Sequence, residues 1–419
     1  MNSEILFSII VTLVIANQLF SYLLDYLNIS YRNQALPPEL EDVYDKQQYQ
    51  KQQAYEIERT RFSFWASLLS VSSILIMLFF DGFAFLDNFL REFTSNEITI
   101  SLSFFGILLF ASNILSLPFS IYSTFVIEQK YGFNKTTVKT FLLDMIKGAF
   151  LSLIIGGTLL YLIILFYQLL GTNFWIVAWG LITVFMLFMN MFYSQLIVPL
   201  FNKQTLLEQG SLRMAIEAFS KKVDFKLNNI FVIDGSKRSS KANAYFSGLG
   251  SQKRIVLYDT LINDLKEEEI VAVLAHEVGH YKHKHTKKGM LRSVLQIGLI
   301  LFLFSLLIDN PMLNQALGSS HQTFHFGMLV FSFLFEPFSL MIGIVSNYIS
   351  RQNEYQADAF AQKYGLDKAL ITGLKQLSRN NLSNLTPHPF YVFIYYSHPT
   401  IYQRIKALEI KNVNNFSAP

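Results

Sequence analysis

The stretch His276-Glu277-Val278-Gly279-His280 sets two imidazoles four residues apart, with a carboxylate next to the first. Residues 267–283 repeat Ile270, Val271, Val273, Leu274, Val278 and Tyr281 at helical spacing, without a proline. On a helix, positions i and i+4 lie on one face. His276 and His280 can then offer two nitrogens to one metal ion, and Glu277 can reach water beside it. Zinc suits such a site, because a few protein ligands leave a position open and water there becomes acidic near neutral pH. Glu277 would take the proton as that water attacks a carbonyl. Five residues also match by chance in a long chain, so the reading depends on a third ligand.

His283 is the nearest rival, on the same face as His276. At helical rise it stands roughly 10 Å further along the axis, too far to share a tetrahedral ion. His283 and His285 read as exposed polar residues at the helix end. His321, His325 and His388 have no metal spacing around them, and the longer H-E-x-x-H-x-x-G-x-x-H pattern is absent. Glu354 and Asp358 are better placed, at i and i+4 of a second helical stretch. Glu354 can ligate zinc, and Asp358 can accept the free N–H of a ligand histidine and fix its tautomer. The alternative is a surface helix with two solvated acids. The chain has no cysteine, which excludes thiolate ligands, disulfides and a cysteine nucleophile.

These residues must be positioned by an unusual chain. Its 419 residues are 52% hydrophobic and only 15% charged, with 40 Phe. Mean hydropathy is positive. This is the composition of a polytopic membrane protein. The net charge of +4 is scattered and forms no nucleic-acid-binding motif. Apolar runs long enough to cross a bilayer cover residues 5–27, 62–85, 100–125, 149–170, 174–200, 291–308 and 326–349. The first lacks a basic n-region and a clear cleavage site, so it reads as an uncleaved span. The chain divides into residues 1–202 with five spans, a soluble block 203–290, two spans in 291–349, and a soluble tail 350–419. Residues 39–61 read as a surface helix.

Seven spans put both soluble blocks on one side. The opposite connections carry a single basic side chain, Arg91, whereas Lys130, Lys135 and Lys139 share a short loop on the near side. The positive-inside rule places the soluble blocks in the cytoplasm and the N-terminus outside. The first soluble block reads as α+β, with a helix over residues 206–223 and strands at 229–234, 243–247 and 254–258. An edge strand can hold an extended peptide by main-chain hydrogen bonds. Asn243, Ala244, Tyr245 and Phe246 form the candidate edge; an ordinary core hairpin is the other reading.

The chain resembles the type I CAAX prenyl proteases, integral-membrane zinc metalloendopeptidases of the glutamate-ligand class. The resemblance covers essentially the whole chain. It is carried by Leu117-Pro-Phe-Ser-Ile-Tyr-Ser-Thr-Phe, Tyr131-Gly-Phe-Asn-Lys, Asp234-Gly-Ser-Lys-Arg-Ser-Ser, Asn243-Ala-Tyr-Phe, His276-Glu-Val-Gly-His, Glu354-Tyr-Gln-Ala-Asp and Ser397-His-Pro. It implies a mainly α polytopic protein whose seven transmembrane helices enclose a chamber, with a zincin-like α+β peptidase region. It implies one zinc per chain on His276, His280 and Glu354, with Glu277 as general base. It implies that Asp358 orients a ligand, that Arg404 pairs with an acid near the metal, and that His398 steadies the oxyanion or substrate. Asn243 would lie on the substrate-binding strand. A water-filled chamber would also account for the acid Glu336 within a span.

Two departures leave the metal set untouched: Lys241-Ala242 precedes the Asn-Ala-Tyr strand where His-Ser is common, and Thr400 replaces a second proline after His398-Pro399. The C-terminus carries no dilysine retrieval signal, which favours a bacterial cytoplasmic membrane over the endoplasmic reticulum. The implied substrate is a peptide or protein whose C-terminal tripeptide follows a prenylated cysteine. The alternatives are a quality-control protease without a prenyl requirement, and a catalytically silent membrane scaffold.

Overall fold

The structure is a computed structural model that describes residues 2–225, 229–247 and 254–415. Helix α1, Ser3–Ser30, opens on Asn2, whose side chain accepts from the Ile5 amide at 2.9 Å. Helix α2, Lys46–Phe79, opens on Asp45 in the same way. Such caps satisfy amides that a helix start leaves without partners. The short α3, Gly82–Arg91, follows a left-handed Asp81. Helix α4, Glu97–Tyr122, continues through a π-helical turn, Ser123–Glu128. A second π turn, Ser152–Gly156, joins α5, Val138–Leu151, to α6, Gly157–Leu170. Helix α7 is Phe174–Leu196.

Among the described residues, six helical stretches are long and apolar enough to cross a membrane. One of them, Val138–Phe201, has 64 residues. As a straight helix it would run about 96 Å, three times a hydrocarbon core. It does not run straight. Gly171 takes φ +55° and turns the chain back, so α6 and α7 pack against each other as a hairpin. Counting that hairpin as two crossings restores the seven spans expected from hydropathy.

The bundle turns its apolar side chains outward: Leu153, Phe110 and Leu306 are all exposed. In a bilayer this is the favourable arrangement, since the backbone is satisfied within each helix. Inside, Leu6, Ile10, Leu78, Phe104, Phe326 and Val330 fill one end of the bundle. Beyond them the helices part around two cavities. One, about 770 Å³, includes Asn17, Ser67, Phe304 and Glu336 in its lining. The other, about 970 Å³, includes Asp25, Arg59, Tyr391, His398 and Arg404. Glu336 accepts a 2.6 Å hydrogen bond from Asn17, so the intramembrane acid faces a cavity and also has a partner.

Outside the bundle, the described residues form a four-stranded sheet: β1 (Gln204–Leu206), β2 (Ile230–Ile233), β3 (Ala244–Ser247) and β4 (Arg254–Tyr258), in the order β1-β2-β4-β3. β3 and β4 pair antiparallel, Ala244 opposite Leu257. β2 and β4 run parallel, Ile230 opposite Ile255. Helix α8, Ser211–Lys222, and helix α9, Glu267–Lys282, pack on the sheet through Ile216, Phe219, Ile255, Leu257, Leu274 and Val278. Helix α10, His285–Leu307, then returns to the bundle.

Helix α11, Phe324–Lys363, has 40 residues. It is about 60 Å long, twice what a membrane needs. Its first half lies in the bundle and its last turns bury Glu354, Ala357, Asp358 and Ala361 against α9. Helices α12 (Asp367–Asn380), α13 (Pro389–Tyr395) and α14 (Ile401–Asn415) close the fold.

Three expectations need correction. Residues 39–61 do not form a surface helix: Leu40, Val43, Tyr44 and Tyr55 are buried with Ile127, Tyr131 and Leu385, and α2 runs unbroken from there into the membrane. The helix expected over 206–223 starts only at Ser211, because residues 204–206 pair with β2. The second span stops at Phe79, where Asp81 at φ +50° breaks the helix before α3.

Candidate metal centre

Helix α9 is held at its start by three acidic residues in the first turn and by the Lys266 amide, which donates to Glu269. It brings His276 and His280 to one face, and α11 crosses that face with Glu354 and Asp358. The crossing is close because Gly279 has no side chain. A Cβ there would stand 3.0 Å from both Ala357 Cα and Phe360 Cβ.

At the crossing, His276 Nε2 lies 3.1 Å from His280 Nε2. Glu354 Oε2 is 3.3 Å from His276 Nε2, and Glu354 Oε1 is 3.2 Å from His280 Nε2. Ligands at about 2.0–2.1 Å from a tetrahedral ion stand about 3.3 Å from one another. Three convergent donors at that separation, two nitrogens and one oxygen, fit zinc. Glu354 Oε2 is buried and has no hydrogen-bond partner, which a cation would relieve. Behind His276, Nδ1 faces Asp358 Oδ1 at 2.8 Å. Arg404 on α14 grips that carboxylate with both arms of its fork, Nε at 2.8 Å and Nη2 at 2.6 Å. Its Nη1 is 3.8 Å from Glu354 Oε2.

Residues 25–203 match the family described as CAAX prenyl protease N-terminal, five membrane helices, and residues 206–411 match Peptidase family M48. The chain belongs to peptidase family M48. It is 39% identical over 387 residues to the CAAX prenyl protease 1 homolog of Arabidopsis thaliana, covering 89% of this chain and 90% of that protein. CAAX prenyl protease 1 of Saccharomyces cerevisiae is 38% identical over 401 residues, covering 89% of this chain and 88% of the relative. The CAAX prenyl protease 1 homolog of Homo sapiens is 34% identical over 424 residues, with 89% and 88% covered. The crystal structure of S. mikatae Ste24p superposes with a TM-score of 0.91 at 36% identity, covering 96% of this chain and 99% of that one. The chain is thus a membrane metalloendopeptidase of the M48 family.

The electrostatics of this M48 site follow from its burial. Burial disfavours charge on His276, but the neighbouring Asp358 and Glu354 carboxylates outweigh it and raise its pKa, the same negative field that draws a cation to the site. Glu277 is half-buried, and desolvation raises its carboxyl above the usual glutamate range against the pull of His276 and His280. Burial opposes the Arg404 charge, yet Asp358 raises its pKa further.

His398 reaches the same group from the open side. Its Nε2 stands 3.4 Å from Glu354 Oε1, and its ring is largely exposed. It lines the 970 Å³ cavity together with Arg404. β3 is the sheet edge beside α9, paired on one side only among the described residues. Asn243 is exposed just before it, its carbonyl accepting from the Tyr258 amide at 3.1 Å. Ala244 packs toward the core that holds α9, whereas Tyr245 turns to Val198 and Val256 on the other face. The strand therefore offers its backbone rather than these two side chains. The Phe246 side chain lies outside the described part of the structure.

His283 is exposed, as expected, but His285 is not. His285 is only 6% exposed, and its Nδ1 lies 2.9 Å from His280 Nδ1. The expectation failed because α9 does not continue through it. Lys284 at φ +59° ends one helix and starts the next, which swings the His285 ring back onto His280. An unbroken helical projection cannot show that contact.

Proposed function

We propose that this chain is a zinc metalloendopeptidase that removes the C-terminal tripeptide from prenylated CAAX substrates at a membrane. The observation that carries the zinc reading is the convergence of His276, His280 and Glu354 on one point, with their ligand atoms within 4.8 Å of one another. Zinc held there supplies Lewis acidity toward a carbonyl and acidifies water.

Every other step belongs to the chain. The exposed edge of β3, beginning at Asn243, pairs with the extended substrate. Glu277 takes the proton from the attacking water and passes it to the leaving amine. Burial raises its pKa, which strengthens it as a base toward that proton. His398, on the cavity side of Glu354, donates to the oxygen on which charge develops. Asp358 holds the Nδ1 proton of His276, and Arg404 fixes Asp358 in turn. The cavity of about 970 Å³ next to His398 receives residues beyond the scissile bond.

The soluble blocks face the cytoplasm and the N-terminus lies outside. Lys130, Lys135 and Lys139 support this orientation. Arg91, the lone opposing cation, is already bound to Asp87 and Glu97. Residues 1–202 and 291–349 form the membrane part, while 203–290 and 350–419 assemble the catalytic part.

The test is zinc content together with cleavage of a farnesylated CAAX peptide, on wild type and Glu277→Gln. One zinc per chain, with cleavage by wild type alone, is the expected result. Absence of zinc overturns the ligand set. Zinc with cleavage of the unprenylated twin at equal rate overturns the prenyl requirement in favour of a quality-control substrate.

A further inference from the structure

We propose that His285, held by Gln356, is a positioning residue that sets the tautomer of His280 and so the zinc affinity of the site. The inference rests on the zinc reading above.

A neutral imidazole carries one proton, and only its other nitrogen can bind a metal. For His276 the choice is made by Asp358. A carboxylate only accepts, so the proton stays on Nδ1 and Nε2 faces the other ligands. Among the described residues, no carboxylate stands behind His280. Its Nδ1 faces another ring nitrogen, His285 Nδ1, at 2.9 Å. Two nitrogens at that distance share one proton, and the contact alone does not decide which ring owns it.

Gln356 decides it. His285 Nε2 is 3.0 Å from Gln356 Oε1, an acceptor. His285 must donate there, so its own Nδ1 is bare and accepts from His280. The proton between the rings therefore sits on His280 Nδ1, and His280 Nε2 is free toward His276 Nε2 and Glu354 Oε1. Turning the Gln356 amide over would reverse the chain of donors. His280 would then carry its proton on Nε2, pointing at Glu354, and would be unable to ligate.

The surroundings fit such a device. His285 is buried, its position fixed by the left-handed Lys284 and by stacking of the His283 ring at 5.4 Å. Gln356 lies on α11 between Glu354 and Asp358, so the helix that brings the carboxylate ligand also carries both partners of the histidines. One ligand is backed by a charge and the other by a neutral relay.

The experiment measures zinc affinity by competition with a chelator, together with thermal stability of the metal-free protein, on the full chain in detergent. His285→Leu should weaken zinc binding by about 10-fold or more, the usual cost of losing a residue that orients a ligand. His285→Asn, whose side-chain oxygen falls where the ring Nδ1 was, should recover most of that loss. Gln356→Glu can only accept and should keep the wild-type affinity, whereas Gln356→Leu should lose it. The Gln356 pair lies at the surface and decides the matter if His285→Leu does not fold. Wild-type zinc affinity in His285→Leu or in Gln356→Leu overturns the proposal, and a lowered metal-free stability alone assigns His285 a packing role instead. Wild type without zinc overturns the metal reading itself, and this inference with it.

Discussion

Gly279 and Ala357 meet backbone to backbone, with room for no side chain between α9 and α11: a Cβ on Gly279 would stand 3.0 Å from Ala357 Cα. Because the atom in the way is main chain, it cannot rotate aside. Gly279→Val should force the helices apart, cost about 1–3 kcal/mol by overpacking, and carry Glu354 away from both histidines. Zinc content should fall with stability, which metal analysis and thermal unfolding in detergent would read together. Full zinc occupancy in that variant would mean the crossing is not what sets the ligand geometry.

Glu277→Gln keeps size and removes the base. Zinc should stay at one per chain while peptide cleavage falls by about 100-fold or more. Turnover near wild type would show that another group takes the proton.

Asp358→Asn leaves a side chain of the same shape that can no longer hold the Nδ1 proton of His276 by charge. Chelator competition should show zinc bound about 10-fold or more weaker. Arg404→Lys should not substitute for Arg404, because a single ammonium cannot span both Asp358 oxygens, gripped now at 2.8 and 2.6 Å. Equal zinc affinity in the Lys variant would argue against the fork.

At the other end of the bundle, Asp87 and His325 are both wholly buried, 3.0 Å apart. Asp87→Ala would leave His325 and Arg91 without their shared partner. A loss of about 3–5 kcal/mol is expected, seen as earlier thermal unfolding with the zinc content of the folded fraction unchanged.

How far the sequence could be read differs from element to element, for physical reasons. The spans announce themselves because lipid allows few charges over twenty residues, and the β3–β4 pair because two short β-prone runs with glycines between them are a local signal. The facing of His276 and His280 is a property of one helix and is legible at once. The parallel pairing of β2 with β4 is not, since nothing local says where a strand finds its neighbour. Residues 39–61 look like surface because they are polar in sum, yet Leu40, Val43 and Tyr55 are the side chains that pack. His285 is hidden by a single backbone angle at Lys284 that no periodicity reports. Its partner Gln356 stands in the midst of a motif whose acids draw the attention.

The 40-residue helix α11 is also a lever. From Phe324 to Glu354 is about 45 Å of continuous helix, so one degree of tilt about its outer end moves the Glu354 carboxylate by about 0.8 Å. Hydrophobic mismatch with the bilayer biases the tilt of a span against the packing that sets it. The lipid around this protein therefore has a mechanical line to the point where three ligand atoms must stay within 4.8 Å of one another. The contact of Gly279 with Ala357 and the grip of Arg404 on Asp358 clamp the far end of that line.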